Sequence, residues 1–155
     1  MGYSERATEL FNQGYNCAQA VIGAFSEDLG MDLEEAMKLS SSFGSGMGGL
    51  REVCGAVSGM FMVAGLMYGY KGPGDTRTKS EHYKLIKALA GRFTEENYSI
   101  VCKELLGVSV GPESRINELK AKGTYKKRSC AELVGCAAEI MGEAVKKIES
   151  ESKAG

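Results

Sequence analysis

The sequence lacks several of the groups on which common enzyme and cofactor sites depend. Its 155 residues include no Trp and a single His, so a Ser-His-Asp set would have to use His82, which we expect to be a surface bystander. No Cys-x-x-Cys pair and no Cys-x-x-Cys-His occur, which excludes a thioredoxin-type redox pair and covalent haem attachment. The formal net charge is only −1 and gives no support for nucleic acid or an anionic membrane surface as a partner.

Long hydrophobic runs are scarce as well. The uncharged stretch that includes residues 54–70 is at the short limit for a helix that crosses a bilayer, about 17 residues, and its glycines dilute it further. The first residues show no basic segment followed by an apolar run, which is the pattern of a secretory signal. We therefore expect a cytoplasmic protein with no membrane partner.

The most informative stretch that is present covers residues 43–69. It begins with a loop of very little side-chain bulk, formed by Gly44, Gly46, Gly48 and Gly49. Residues 54–67 then carry no charge, and a helix that is apolar on all sides is a buried one. We therefore predict a central buried helix with the Cys54 thiol at its N-terminal end.

The glycine loop has two further interpretations. It satisfies the pattern G-x-G-x-x-G, but a dinucleotide site needs a strand before the loop, and residues 32–42 have the pattern of a helix. A tight connection into a buried helix is the simplest role. The alternative is a ligand loop, in which backbone amides bind a thiolate, a cluster or a small anion.

The rest of the chain has the pattern of amphipathic helices. Capping-box spacings occur at Asn16 with Gln19 and at Ser129 with Glu132. Helices are predicted at residues 4–13, 16–29, 33–42, 54–67, 76–93, 99–107, 112–122 and 130–148. The triplet at 108–110 is strand-like but too isolated to form a sheet, and the tail from residue 149 is expected to fray. The prediction is a single all-α domain over residues 1–155, a helical bundle around the central helix.

Five cysteines are more than a cytosolic chain of this length needs for packing. Four of them fall in the first turn of a predicted helix, namely Cys17, Cys54, Cys102 and Cys130. There the helix dipole and unpaired N–H groups stabilise a thiolate, the form that acts as nucleophile and as metal ligand. Each of the four alone could be a packing residue, but the shared position favours a functional set. Cys136 faces away from Cys130 on the same helix, so we predict that it belongs to the core.

The cysteines also carry a family resemblance. The segment CGAVSG at residues 54–59 matches a CGAxxG motif, and Cys17 in NCAQAV, Cys102 in VCKELLG and Cys130 in SCAELV stand around it in order. Over residues 3–144 the chain resembles the C_GCAxxG_C_C family of small redox-active proteins. The resemblance implies a redox role and a bound iron–sulfur cluster, without an assigned reaction. Related domains occur in split-Soret cytochromes c, but covalent haem is not carried over because Cys-x-x-Cys-His is absent.

Three classes of function remain open. In the first, Cys17, Cys54, Cys102 and Cys130 form one shared site that binds an iron–sulfur cluster or zinc, or cycles between dithiol and disulfide. Cys54 and Cys17 are the expected reacting pair. The second class is a small-molecule-binding or accessory module whose cysteines only pack. The third is an enzyme with Cys54 as nucleophile and the glycine loop as anion hole. The partners we expect are a redox protein or a small-molecule ligand, and a second copy of the chain in a homodimer.

Overall fold

The fold, taken from a computed structural model that describes residues 1–107 and 115–154, is all-α. Its elements are α1 (Tyr3–Asn12), α2 (Cys17–Leu29), α3 (Leu33–Ser40), a 3-10 turn (Ser41–Phe43), the single turn α4 (Gly44–Met47), α5 (Gly55–Tyr68), α6 (Thr76–Asn97), α7 (Cys102–Leu105), α8 (Arg115–Ala121) and α9 (Cys130–Ala154). Within the described residues the extended pairing is limited to one antiparallel bridge between Val53 and Val101. No helix in that part of the chain is long and apolar enough to cross a membrane. The all-α prediction is confirmed.

Local capping sets where α2 and α9 start, and each of these helices begins with a cysteine. The Asn16 side chain accepts a hydrogen bond from the Gln19 N–H at 2.9 Å, and the Gln19 side chain accepts one from the Asn16 N–H at 3.0 Å. Ser129 and Glu132 exchange the same two contacts at 3.2 Å each. Both predicted capping boxes are therefore present, and they make Cys17 and Cys130 the first residues of α2 and α9.

Helices α2 and α5 form the centre of the core, and glycines let them approach closely. A methyl group on Gly59 would lie 2.8 Å from the Ala18 carbonyl oxygen, and one on Gly55 would lie 3.1 Å from Cys17 Cβ. Helix α9 packs across α1, α2 and α5. The largest side chains of this core are fully buried, and they include Ile22, Phe25, Val57, Met60, Phe93, Ile140 and Met141.

Burial along α5 differs from the prediction of a helix enclosed over its whole length. Its first turns are buried, but Leu66 near its C-terminal end is 50% exposed. The reason is that α2 meets α5 at Gly55 and Gly59, close to the N-terminal end of α5. The core is thus organised around the α2–α5 pair rather than around one enclosed helix.

Three further details depart from the sequence prediction. The Ser99 hydroxyl accepts a hydrogen bond from the Val101 N–H, so α7 begins at Cys102 and not at Ser99. The polar helix α6 continues to Asn97, four residues past the predicted end. The prediction that the chain frays from residue 149 is wrong, because α9 extends to Ala154. Residues 149–154 contain no glycine or proline that would break the helix. The strand-like triplet at 108–110 and the helix start at Pro112 lie outside the described residues.

Candidate functional site

Four cysteines from distant parts of the chain line one cavity of about 150 Å³. They are Cys17, Cys54, Cys102 and Cys130. The rest of the wall consists of the polar residues Asn16, Ser45 and Arg51, of Gly46 and Gly55, and of the apolar residues Phe11, Leu105, Leu106 and Leu133. The four thiols that the sequence assigned to one site therefore line one cavity, and Cys136 does not. That their sulfurs lie within disulfide or metal-ligand range remains a prediction.

Each of the four thiols stands at the start of a helix. Cys17, Cys102 and Cys130 are the first residues of α2, α7 and α9, and Cys54 is the N-cap of α5. The sequence predicted helix starts at Cys17, Cys54 and Cys130. For Cys102 the predicted helix start lies within one turn of the observed one. The local prediction of cysteines in first turns is therefore confirmed.

A short antiparallel backbone pairing brings Cys54 and Cys102 together. The Cys54 N–H donates to the Ile100 carbonyl at 2.7 Å, and the Cys102 N–H donates to the Glu52 carbonyl at 2.6 Å. These bonds flank the Val53–Val101 bridge. The segments before α5 and α7 are thereby held side by side, with one cysteine directly after each.

Of the four glycines in the loop, Gly46 is the one that lines the cavity, next to Ser45. Gly46 has a left-handed φ of 67°, and a methyl group added to it would lie 2.7 Å from Cys102 Cβ. Gly44 packs on the Asn16 side chain, and its carbonyl accepts the N–H of Gly48. Gly48 and Gly49 are exposed and are not part of the wall. The ligand-loop role of the four glycines remains a prediction, and Gly46 is the member that the fold places at the site.

A hydrogen bond between the two thiols is the largest cause of the pKa shifts of Cys17 and Cys130. It lowers the pKa of Cys130 to about 6, and the charges of Arg51 and Lys127 act in the same direction against the opposing effect of burial. The same bond keeps the proton on Cys17 and raises the pKa of that thiol, an effect that burial and the neighbouring cysteines reinforce. The pair is therefore best described as a Cys17 thiol that donates a hydrogen bond to a Cys130 thiolate.

The pKa of Cys54 is raised, whereas its position at a helix start predicts a lowered pKa. Burial raises its pKa to about 11, although the N–H groups of Ala56 and Val57 favour the thiolate. A helix N-terminus contributes about 0.3–1 kcal/mol near the surface, whereas desolvation of a buried group shifts its pKa by up to several units. The pKa of Cys130 is lowered as expected, but through Cys17, Arg51 and Lys127 rather than through backbone groups of the first turn. For Cys17 and Cys54 the expectation is wrong, because their pKa values are raised.

Arg51 is the site residue that the sequence reasoning missed. Its Nη1 donates to Cys102 Sγ at 3.7 Å, and its charge favours the Cys130 thiolate. A signal was available, because Arg51 and Glu52 are the only charged residues between Lys38 and Lys71. A lone cation in the loop that leads into an apolar helix indicates an electrostatic role there.

Cys136 is buried in the core, as predicted, but its contacts are polar. Its thiol donates to Glu96 Oε2 at 2.8 Å and accepts a hydrogen bond from Asn97 Nδ2 at 3.4 Å. Burial and the bond to Glu96 raise its pKa to about 11. Cys136 is thus a protonated thiol in a separate environment.

The fit of a metal can be tested from the side chains. Among residues 1–107 and 115–154, no group of three or more His, Cys, Asp or Glu side chains is arranged to hold a metal ion. His82 does not line the cavity. It is half-buried rather than a surface residue, and its Nδ1 is buried without a hydrogen-bond partner among the described residues. The four thiols share a cavity wall, but in this arrangement they do not form a ligand set.

Comparison with known protein families agrees with this arrangement of cysteines. A family model described as "Putative redox-active protein (C_GCAxxG_C_C)" matches residues 15–144, which is most of the chain. The chain belongs to the C_GCAxxG_C_C family. The four cysteines that the sequence resemblance matched to the family's pattern are the ones that line the cavity. No curated protein and no solved structure matches the chain.

Proposed function

We propose that this C_GCAxxG_C_C protein is a thiol redox protein in which Cys17 and Cys130 interconvert between a dithiol and a disulfide. The observation that carries the proposal is that Cys17 and Cys130 line the same cavity. Their opposite pKa shifts, with a hydrogen bond between the thiols as the largest cause, support it. An S–S bond requires Cα atoms within about 7 Å of each other. Cys130 supplies the thiolate, which is the reactive form in thiol–disulfide chemistry.

The redox step balances with an external disulfide as the oxidant. The Cys130 thiolate attacks that disulfide and one of its two sulfurs leaves as a thiolate. Cys17 then loses its proton, attacks the Cys130 sulfur and displaces the second external thiolate, so that the oxidant takes up the two electrons as one S–S bond forms in the chain. Reduction by a dithiol partner returns the two electrons and the proton. The sequence favoured Cys54 as the partner of Cys17. Cys130 is the better candidate because it is ionised near neutral pH, whereas the Cys54 thiol stays protonated.

Cys54 and Cys102 support a second candidate function at the same site. All four thiols line one cavity, and four thiolates are the usual ligand set of an iron–sulfur cluster or a structural zinc ion. Binding would require the side chains to rotate from their present positions. This alternative therefore has its own readout, bound iron or zinc.

The test is a redox titration of the full chain, purified without oxygen and equilibrated in buffers of oxidised and reduced dithiothreitol. Peptide mapping without reduction should find one disulfide, between Cys17 and Cys130. Cys17→Ser and Cys130→Ser should each abolish it, while Cys136→Ser should leave it unchanged because Cys136 lies outside the cavity. Circular dichroism would verify that each variant is folded.

Two results would contradict the dithiol proposal. One is a disulfide that joins other cysteines, or none at any potential. The other is about one equivalent of zinc or an iron–sulfur chromophore that disappears in variants of all four cavity cysteines, which would favour the metal-binding alternative.

A further inference from the structure

The cavity wall carries one fixed positive charge that no carboxylate of the described residues neutralises. Among the described residues that line the cavity, Arg51 is the only Lys, Arg, Asp or Glu. Its Nη1 donates to Cys102 Sγ at 3.7 Å, and sulfur is a weak hydrogen-bond acceptor. None of the ion pairs between described residues involves Arg51. The guanidinium therefore lies beside the thiols without an oxygen anion from this part of the chain.

The backbone at Arg51 is strained and is held from both sides. Arg51 has a left-handed φ of 61°, and the same loop contains Ser45 at 53° and Met47 at 70°. Non-glycine residues are disfavoured in this region and persist only where the surrounding structure holds them there. The Arg51 N–H donates to the Ser45 carbonyl at 3.3 Å, and the Arg51 carbonyl accepts the Lys103 N–H at 3.1 Å. Strain of this kind is common at ligand sites, and here it fixes the residue that carries the positive charge of the wall.

We propose that Arg51 binds the negatively charged end of the molecule that reacts with the cavity thiols, and that this molecule is a small disulfide with carboxylate groups. The inference rests on the proposed thiol redox function, in which an external disulfide is the oxidant. A guanidinium can donate two parallel hydrogen bonds to a carboxylate, which is a stronger contact than its present one to sulfur. The contact to Cys102 Sγ places this carboxylate site directly beside the thiols.

Arg51 acts as a binding and specificity residue and takes no part in the transfer of electrons. One external disulfide accepts two electrons and leaves as two thiolates, while one S–S bond forms in the chain. The carboxylates of the external molecule are unchanged by this reaction. Arg51 therefore determines which disulfide is favoured, not which bonds form and break.

The first experiment compares two small alkylating reagents on the reduced full chain, iodoacetate with a carboxylate and iodoacetamide without charge. Both attack the same thiolate, so the ratio of their rates at one cysteine cancels the ionisation of that thiol and reports the charge around it. The cysteine to follow is Cys102, whose sulfur contacts Arg51. The iodoacetate-to-iodoacetamide ratio at Cys102 should be about three- to fivefold higher than in the denatured chain, the effect of one exposed ion pair. It should fall in about 1 M salt, where the screening length is about 3 Å.

Variants of Arg51 test whether this residue is the cause. Arg51→Met should return the ratio to that of the denatured chain, and Arg51→Lys should keep part of the increase, because the charge remains while the paired donors are lost. Arg77→Met is the matched control, since Arg77 is exposed and does not line the cavity. Circular dichroism would verify the fold of each variant. A ratio no higher in the folded than in the denatured chain, a ratio unchanged in Arg51→Met, or a Cys102 that neither reagent labels would overturn the inference.

The second experiment uses three small disulfides of different charge as oxidants: dithiodiglycolate, which is anionic, bis(2-hydroxyethyl) disulfide, which is neutral, and cystamine, which is cationic. The rate of formation of the Cys17–Cys130 disulfide is divided by the rate of the same oxidant with a small neutral thiol. The anionic disulfide should be favoured over the neutral one by up to about fivefold, and Arg51→Met should remove this preference while Arg77→Met keeps it. A preference for cystamine, or no dependence on charge, would contradict the assignment.

Failure of this inference is distinguishable from failure of the proposed function. If oxidised dithiothreitol forms the Cys17–Cys130 disulfide but neither ratio depends on Arg51, the redox pair stands and the anion site is wrong. If the alkylation ratio at Cys102 depends on Arg51 but no disulfide oxidises Cys17 and Cys130, the anion site stands, and the proposed function and the disulfide substrate are wrong.

Discussion

Selective alkylation of Cys130 in weak acid is the sharpest test of the electrostatics at the cavity. In the reduced, metal-free protein a small reagent such as iodoacetamide should label Cys130 before any other cysteine. The physical reason is the hydrogen bond from Cys17 together with the nearby charges, which lower the pKa of Cys130 to about 6. Cys54 and Cys136 have pKa values of about 11 because burial opposes their ionisation.

The choice of pH follows from two opposing effects on the rate. At pH 7 a thiol of pKa about 6 is about 90% ionised and an ordinary thiol of pKa about 8.5 about 3% ionised, a ratio of about 30. The less basic thiolate is intrinsically about tenfold less nucleophilic at a Brønsted slope of about 0.45, so the net advantage at pH 7 is about threefold. At pH 5.5 the ratio of thiolate is about 240, and the net advantage rises to about twentyfold.

The assay is a pulse of reagent at pH values from 4.5 to 9, followed by quantification of each cysteine peptide by mass spectrometry. The labelling of Cys130 should rise with pH and level off above a midpoint near 6, since the thiolate is lost as pH falls through the pKa. In Cys17→Ala the midpoint should move up towards the ordinary thiol range, because the largest stabilising contact is gone. Cys136→Ala should leave the midpoint where it is.

A midpoint of about 8.5 for Cys130 in the unmodified chain would refute the reasoning. So would an unchanged midpoint in folded Cys17→Ala, because the hydrogen bond would then have no effect on acidity. Cys54 as the first residue labelled at pH 5.5 would show that helix-terminus stabilisation outweighs burial.

Two stability predictions concern glycines, measured by urea unfolding followed by circular dichroism. Gly59→Ala should lower the free energy of unfolding by about 1–3 kcal/mol, because the added methyl would lie 2.8 Å from the Ala18 carbonyl oxygen. Gly65→Ala in the same helix should raise it by about 0.5–1 kcal/mol, since nothing lies within 4 Å and alanine is the better helix former. Gly46→Ala should lower it by about 1–2 kcal/mol for the left-handed φ of 67° alone, and by more because the methyl would lie 2.7 Å from Cys102 Cβ.

The glycine variants have matched controls. Gly48 has the same φ of 67°, but an added methyl would meet only the Ser42 carbonyl oxygen, at 3.3 Å. The difference between Gly46→Ala and Gly48→Ala therefore measures the packing against Cys102 Cβ and the Arg51 backbone, each 2.7 Å from the added methyl, without the cost of the left-handed φ. Equal stabilities of these two variants would contradict the close approach of loop and thiol, and a stabilising Gly59→Ala would contradict the close contact of α2 with α5.

Local sequence was sufficient for the helices and for the positions of the cysteines within them. Asn16 with Gln19 and Ser129 with Glu132 satisfy backbone donors within four residues of each other, so their effect does not depend on the rest of the fold. The all-α architecture and the start of α2 and α9 follow from such contacts. The predicted end of α9 is too early, because the prediction followed from the position of the tail at the terminus and not from its residue types, which are compatible with a helix.

The acidity of the thiols was decided by partners that the linear sequence does not identify. Cys17 meets Cys130, more than a hundred residues away, and Arg51 reaches Cys102 only because the Val53–Val101 bridge holds their segments side by side. The helix dipole is a local property and was correctly placed, but burial and hydrogen bonding are larger effects.

The sequence by itself determined that four thiols stand at helix starts and that glycines leave room beside them. Only the tertiary structure decided that the four line one cavity, that Cys130 rather than Cys54 is the acidic thiol, and that Cys136 is held by Glu96 and Asn97. The physical reason is the distance along the chain over which each kind of interaction acts. Capping and backbone conformation act within a turn, whereas desolvation and ionic contacts depend on which distant segments come together.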